Sequence, residues 1–526
     1  MNRVFIFGSV LIVLLAASLR VYHIAQRSLW LDEAIAANIS RDTLAETLVL
    51  TRGLHSAPVT HPLVLYAVEK VASGPLAVRL PSLAASLLAV CSMLCFAAIP
   101  SIGPKAATLS ALMLSVSAVQ IRYAQEVREY SASVFFAGLL LYLYMSYVSN
   151  SQECCRPPIG LFLALFAAPL IQYGLALFGF GIIAALFAMG LAGSRPRVKI
   201  SQLVTGSLFF ASGGLLSYVL TLRYQWEPKS YLQDYYFSPG SSLPGFVWSN
   251  THDLLTFFLP GRAAALLSAV AIVFRLVTWR WHRTDSPLLI LAFTSFATVA
   301  GCAILRLYPY GPTRQCLFLT PVLCLLASAT LVQMADRFSG EWNRAVFLAI
   351  VCVVLVSSVS QVRALKPYAE IEDIQSVLLE LRSHIAPGDG VYVYSGAVPA
   401  LDFYVKERDP RFAYGDFHRE EPGKYVPEML ADLPQGTSRV WVVLSHIFED
   451  EDQRILRDLG SDWEVKPALF AKGTALYLAC RRGAPVIDLA ANRNFRQGDT
   501  APTPGVHRPR DSFLDWNIRN SRQQAH

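Results

Sequence analysis

Apolar runs, each about the length of a membrane-crossing helix, repeat along the first two thirds of the chain and then stop. A spanning helix needs about 20 mostly apolar residues. Runs of that kind lie near 4–22, 79–99, 104–121, 131–148, 159–174, 175–192, 203–222, 262–280, 287–305, 315–334 and 344–362, eleven in all. The fifth and sixth are parted only by Gln172-Tyr173-Gly174, which makes that division the least secure. The stretch from His61 to Ser73 is apolar but short, and it carries Glu69 and Lys70, so it is expected to be interfacial or re-entrant. Beyond Lys366 the pattern changes. Ile371, Ile374, Leu378, Leu381 and Ile385 recur at helical spacing, Pro387-Gly388-Asp389-Gly390 marks a turn, and Val391–Tyr394 reads as a strand. A helix over Val398–Val405 and strands over Arg439–Leu444 and Thr474–Ala479 complete a small α/β domain.

The pattern predicts a polytopic α-helical membrane domain of about eleven transmembrane helices over 1–362 and a soluble α/β domain over 363–482. A basic tail over 483–526, without apolar periodicity, is expected to be disordered. Composition agrees: 54% of residues are hydrophobic and 16% charged, against roughly 25% charged in soluble domains. No Gly-rich phosphate loop follows a strand in the C-terminal part, so nucleotide binding there has no support, and nucleic acid is not an expected partner.

Basic residues of short loops set the orientation. With the N-terminus cytoplasmic, Lys105, Arg156, Arg195, Arg197, Lys199, Arg275, Arg280, Arg283, Arg337 and Arg344 fall inside. The Asp32-Glu33 loop, the Arg122–Tyr130 cluster, the 223–261 loop, Leu307–Gln315 and the C-terminal domain fall outside. The first apolar run has no clear small-x-small cleavage site, so it is read as a retained span. The nine cysteines form no framework: Cys91, Cys95, Cys302, Cys316, Cys324 and Cys352 lie in or beside spans, Cys154-Cys155 on the cytoplasmic side, and Cys480 stands alone in the exported domain. No His/Cys cluster suggests zinc.

Charged groups near a bilayer are costly and tend to mark function. Asp32 and Glu33 follow the aromatic Trp30 and open a good helix former; acids there also compensate the helix dipole. On a continuous helix, Arg122, Glu126 and Tyr130 share one face, with Gln125, Arg128 and Glu129 on the next, which is either a salt-bridged helix end or a polar site. Arg offers a planar fork suited to phosphate, and a carboxylate can act as a base. His61 faces the same side and is either structural or functional. Arg314, in the turn Tyr308–Arg314, sits where a lipid phosphate would lie or snorkels to ordinary headgroups.

These residues resemble the GT-C superfamily of polyprenyl-phosphate-sugar glycosyltransferases, in the branch of bacterial protein O-mannosyltransferase relatives and lipid A aminoarabinose transferases. The matching stretches are Ser28-Leu29-Trp30-Leu31-Asp32-Glu33-Ala34, His61–Tyr66, Arg79-Leu80-Pro81-Ser82, Tyr123-Ala124-Gln125-Glu126-Val127-Arg128-Glu129-Tyr130 and Tyr308–Arg314. There are departures. Leu63 stands where relatives usually have a second Pro, and Gln172-Tyr173 stands where many have His-Tyr.

The resemblance implies a GT-C fold and an inner-membrane enzyme whose active site faces the extracytoplasmic side. It implies inverting attack by an acceptor hydroxyl of a lipid, polysaccharide or protein on a polyprenyl-phosphate-linked sugar. Asp32 is then the general base, with Glu33 and Glu126 as further catalytic candidates. Arg128, Arg314 and Arg122 are donor-phosphate candidates, and His61, Tyr123, Gln125 and Tyr130 substrate-binding ones. No cofactor or metal is implied, although a divalent cation between carboxylates is conceivable. Two other readings stand beside it: a glycan ligase or polymerase using lipid-diphosphate donors, and a multispan lipid or sugar transporter or flippase. A transporter is expected to show internal repeats and mid-membrane charges, whereas here the charges gather at one face.

Overall fold

The computed structural model describes residues 3–54, 56–149, 157–191, 199–225, 230–278, 286–405, 409–416, 422–448 and 450–483. The predicted disordered tail (beyond Gly483), Cys154-Cys155 and the inside-loop residues Arg156, Arg195, Arg197, Arg280 and Arg283 lie outside the described residues. The chain divides into two compact units. One comprises Met1–Ile24, Ser56–Val64 and Arg79–Tyr368; the other comprises Ala25–His55, Leu65–Val78 and Ala369–His526.

Eight described helices, lying wholly or (Pro75–Ala98) mainly in the first unit, are long and apolar enough to cross a membrane: Arg3–Val21, Pro75–Ala98, Tyr130–Ser149, Tyr173–Leu191, Ile200–Gln225, Pro287–Ile304, Arg314–Ala335 and Glu341–Leu365. Each coincides with one of the eleven expected runs. The other three runs are helical but shorter: Gly103–Val116, Ile159–Ile171 and Arg262–Thr278. The fifth and sixth runs are separate helices that part at Gln172. Arg314–Ala335 is the centre of the unit, with 94% of its apolar window buried, against 17% for Arg3–Val21. Long apolar side chains left exposed on the outer helices, such as Phe7, Leu14, Val356 and Val359, suit a lipid-facing surface.

The third run is shortened by a break at Ser117, and the Ala118 N–H that the break frees is paired, as are carbonyls at the neighbouring end of Leu243–Phe258, as an apolar interior requires. The Ala118 N–H donates to Gln361 Oε1 at 3.0 Å, Gln361 Nε2 donates to the Leu259 carbonyl at 2.7 Å, and Ser117 Oγ donates to the Phe258 carbonyl at 3.0 Å. On the N-terminal side of the break, the last carbonyls of Gly103–Val116 lack intrahelical donors. Arg20 supplies them. Its fully buried guanidinium donates to the Leu114 and Ser115 carbonyls at 3.1 and 2.9 Å and to Ser86 Oγ at 2.7 Å, tying three apolar helices together. The chain resumes as the short helix Ala118–Ala124, which delivers Arg122 and Tyr123.

Among the described residues of the second unit, five strands form one mixed sheet in the order β2-β1-β3-β5-β4: β1 Gly390–Val393, β2 Phe412–Tyr414, β3 Arg439–Ser445, β4 Trp463–Ala471 and β5 Thr474–Arg481. β1 runs parallel to β2 and β3, and β5 runs antiparallel to β3 and β4. The expected strands at 391–394, 439–444 and 474–479 are β1, β3 and β5. The expected helices appear as Ile374–His384 and Val398–Tyr404. β2 and β4 are additional. Both are edge strands, and β4 carries Glu464, Lys466 and Pro467 with a register shift after Pro467, so it lacks the apolar signature of a central strand. The loop helix Leu31–Ile39 belongs to this unit, with Asp32 and Glu33 in its first turn as expected.

Candidate functional site

The polar cluster after Ala118–Ala124 is not a helix continued. The helix ends at Ala124, residues 125–129 turn, and Tyr130 opens the next span. The single-helix alignment of Arg122, Glu126 and Tyr130 is therefore corrected. Ser131 Oγ donates to the Tyr123 carbonyl at 2.9 Å, the Arg128 N–H donates to the Glu126 carbonyl at 2.8 Å, and Gln125 Nε2 donates to the Arg20 and Tyr22 carbonyls at 2.9 and 2.7 Å. Those bonds favour a folded turn over another helical turn. Gln125 is thus a turn anchor. The turn still brings Arg122 Nε within 3.0 Å of Glu126 Oε1.

The turn buries charge deliberately. Glu126, Arg128 and Glu129 are all buried, and Arg128 Nε lies 3.4 Å from Glu129 Oε2. The Arg128 carbonyl accepts from Ser82 Oγ at 2.9 Å, so the Arg79–Ser82 stretch supports the same turn. Tyr130 is the focus. The Arg128 guanidinium lies 5.5 Å and that of Arg314 5.6 Å from its ring centroid, and the Tyr123 ring meets it edge-on at 5.4 Å. Both cations are attracted by the ring's quadrupole, and the Glu129 carboxylate balances the charge of Arg128. Burial, with Glu126 next in effect, pushes the Tyr123 hydroxyl above its ordinary pKa, so it stays a neutral donor.

His61, at the start of the helix Thr60–Glu69, is buried against the same turn. Burial lowers its pKa to about 4, outweighing the upward pull of Glu129, while Arg128 adds to the lowering; Val127 contributes a backbone hydrogen bond. It is a neutral imidazole at pH 7.

The Tyr308–Arg314 turn completes the grouping. Tyr308 Oη donates to the Gln315 carbonyl at 2.9 Å and accepts from Gln172 Nε2 at 3.1 Å. Gln172 thus holds the turn that presents Arg314. A Cβ on Gly311 would lie 2.3 Å from the Tyr235 ring and 2.7 Å from Asn250 Oδ1, so no larger residue fits there. Of the sequence-derived candidates, His61, Arg122, Tyr123, Gln125, Glu126, Arg128, Tyr130 and Arg314 lie in this unit.

Asp32 and Glu33 belong to the other unit. Asp32 is half-buried and Glu33 buried. The chain leading into their helix is held by residues that sequence reasoning passed over: Glu370, Glu372, Asp373 and Tyr404. The Ser28 N–H donates to Glu370 Oε1 at 2.6 Å, the Leu29 N–H to Tyr404 Oη at 2.9 Å and the Leu31 N–H to Glu372 Oε2 at 3.0 Å. Their one sequence signal is the acidic run Glu370-Ile371-Glu372-Asp373 just past the last span. Among the described residues, no group of three or more His, Cys, Asp or Glu side chains is arranged to hold a metal ion.

No family model matches the chain, and no curated protein matches it. Solved structures do. ArnT from Cupriavidus metallidurans, in its structure bound to undecaprenyl phosphate, is similar with a TM-score of 0.56 at 14% identity, covering 89% of this chain and 97% of that one. Its apo structure gives 0.55 at 13% identity over the same shares. The Archaeoglobus fulgidus oligosaccharyltransferase in the apo form gives 0.52 at 12% identity, covering 84% of this chain and 69% of that one. At such identities the likeness speaks for architecture, and together with the spans and the mixed sheet it makes this chain a polytopic α-helical membrane protein of GT-C fold with a C-terminal α/β unit.

Proposed function

We propose that the chain is an integral inner-membrane glycosyltransferase that moves a sugar from a polyprenyl-phosphate donor to an extracytoplasmic lipid, polysaccharide or protein. The observation that carries this reading is the convergence of Arg128 and Arg314 on the Tyr130 ring, at 5.5 and 5.6 Å, within a unit of membrane-length helices. When the bond from the anomeric carbon to the phosphate oxygen breaks, the leaving lipid phosphate gains negative charge. Charge-assisted hydrogen bonds from two guanidiniums stabilise that charge as it develops. The likeness to an ArnT structure that holds undecaprenyl phosphate supports a donor of this chemistry.

In this reading Arg122 and Glu126 form a pair whose carboxylate orients the sugar or acceptor, and neutral His61 and Tyr123 offer hydrogen bonds without adding charge. Asp32 is the general base that takes the proton of the acceptor hydroxyl, an assignment resting on the resemblance of the Ser28–Ala34 loop. No cofactor is assigned a part. Transfer of a whole glycan from a lipid diphosphate is the second reading, favoured by the likeness to an oligosaccharyltransferase.

The test is to offer purified protein matched polyprenyl monophosphate and diphosphate sugars with an envelope lipid and glycan extract. Sugar transfer from the monophosphate alone supports the proposal. Consumption of the diphosphate alone supports the second reading.

A further inference from the structure

The Leu31–Ile39 helix opens without a cap of its own. Trp30 at the N-cap position makes no side-chain cap hydrogen bond. The first N–H groups of any helix have no intrahelical acceptor, and the helix dipole favours a carboxylate beside them. Glu372, distant in sequence and buried, supplies one: its Oε2 accepts the Leu31 N–H at 3.0 Å. The same carboxylate accepts from Ser445 Oγ at 3.4 Å and pairs with His446 Nδ1 at 2.5 Å, so its own position is set by the end of β3. Upstream, Glu370 takes the Ser28 N–H, Asp373 Oδ1 takes Ser28 Oγ at 3.2 Å, and Tyr404 takes the Leu29 N–H. At the far end, Asn38 Nδ2 donates to the Pro399 carbonyl at 2.8 Å. The helix is therefore held at both ends by residues of the C-terminal segment.

We propose that Glu372, braced by His446 and Ser445, is a positioning residue that fixes the Asp32 carboxylate by capping its helix from the C-terminal segment. This gives the C-terminal domain a role in the reaction: it holds the loop that carries the base. The consequence for turnover rests on the functional reading above, in which Asp32 is that base; the capping itself does not. Near-attack geometry is sensitive, and a displacement of about 1 Å can cost on the order of a hundredfold in rate.

The experiment uses the full chain in detergent and compares wild type, Glu372→Ala and Glu372→Gln. Amide hydrogen exchange is read across Ser28–Ile39, together with kcat and the KM for donor. Glu372→Ala is expected to raise exchange at Leu31–Ala34 and lower kcat more than about tenfold, with donor KM within about twofold of wild type. The Gln side chain still accepts from Leu31, so Glu372→Gln is expected to restore most of the protection and most of kcat. If the Ala variant does not fold, the Gln variant carries the test: loss of both protection and kcat there contradicts capping by a carbonyl-type oxygen. Unchanged exchange in Glu372→Ala, or lost protection with intact kcat, overturns the proposal. Wild-type protein that turns over no lipid-linked sugar sinks the functional reading instead, and the exchange data still decide whether Glu372 caps the helix.

Discussion

The Arg314 guanidinium lies 5.6 Å from the centroid of the Tyr130 ring, although the two residues come from segments far apart in the chain. Arg314 begins the most buried span of its unit, and Tyr130 begins another. The contact therefore places a cation where two membrane helices start. Such a cation is costly near a bilayer unless it meets an anion or an aromatic face.

Tyr130 should tolerate loss of its hydroxyl better than loss of its ring. Tyr130→Phe keeps the face that both arginines meet and removes the hydroxyl, with its 3.5 Å contact from Arg128. Tyr130→Leu removes the face, and a cation–π contact is worth about 0.5–2 kcal/mol. Donor affinity measured by titration is expected to be near wild type for Phe and about two- to thirtyfold weaker for Leu. Equal losses in the two variants contradict a role for the ring.

His61 gives the protein an acid-sensitive point. Its folded pKa of about 4 lies below the ordinary value, which is about 6.5 for an unfolded chain. Between those values the unfolded state binds more protons, so the stabilising effect of a neutral His61 is complete above about pH 6.5 and is lost as pH falls toward 4. Melting temperature measured from pH 7 to 4.5 is expected to fall less steeply for His61→Asn than for wild type. Parallel curves exclude His61 as the titrating group.

Asp32→Asn keeps the shape of the side chain and removes its basicity. The chemical step is expected to fall by roughly a hundredfold or more, with melting temperature unchanged. Near-parental turnover removes Asp32 from the mechanism and turns attention to Glu33→Gln.

Orientation has its own check. A reporter fused after Val198 is expected in the cytoplasm, and one after Arg363 on the exported side. Both on one side means an even number of crossings between them and a wrong assignment of faces.

Periodicity alone revealed the spans that are apolar along their whole length, because membrane-length apolar runs have few other uses. It did not reveal the break at Ser117. That break is stabilised by Gln361, Phe258 and Arg20, partners remote in sequence. The Arg122–Tyr130 cluster was legible as residues but not as geometry: the spacing implies one helix face, whereas side-chain bonds from Ser131 and Gln125 fold a turn. Gln172 looked like a departure from a family pattern and proves to hold Tyr308. Glu372 was least legible, since a capping carboxylate acting across the chain leaves no local pattern.

If Arg128 and Arg314 hold the donor's phosphate, replacing Arg314 separates that role from a structural one more cleanly than replacing Arg128. Arg128 is buried beside Glu129 at 3.4 Å, so Arg128→Ala strands a buried charge and is expected to lower melting temperature as well as affinity. Arg314→Ala is expected to leave melting temperature within a few degrees of wild type. Losing a charge-assisted hydrogen bond costs about 1.5–3 kcal/mol, so polyprenyl-phosphate affinity should fall about ten- to a hundredfold, and Arg314→Lys should recover only part because a point charge lacks the fork. The measurement is polyprenyl-phosphate binding, with melting temperature read on the same preparations of wild type, Arg314→Ala and Arg314→Lys. Graded loss in the order Arg, Lys, Ala at constant melting temperature is the predicted result. Unchanged affinity in folded Arg314→Ala contradicts the phosphate site.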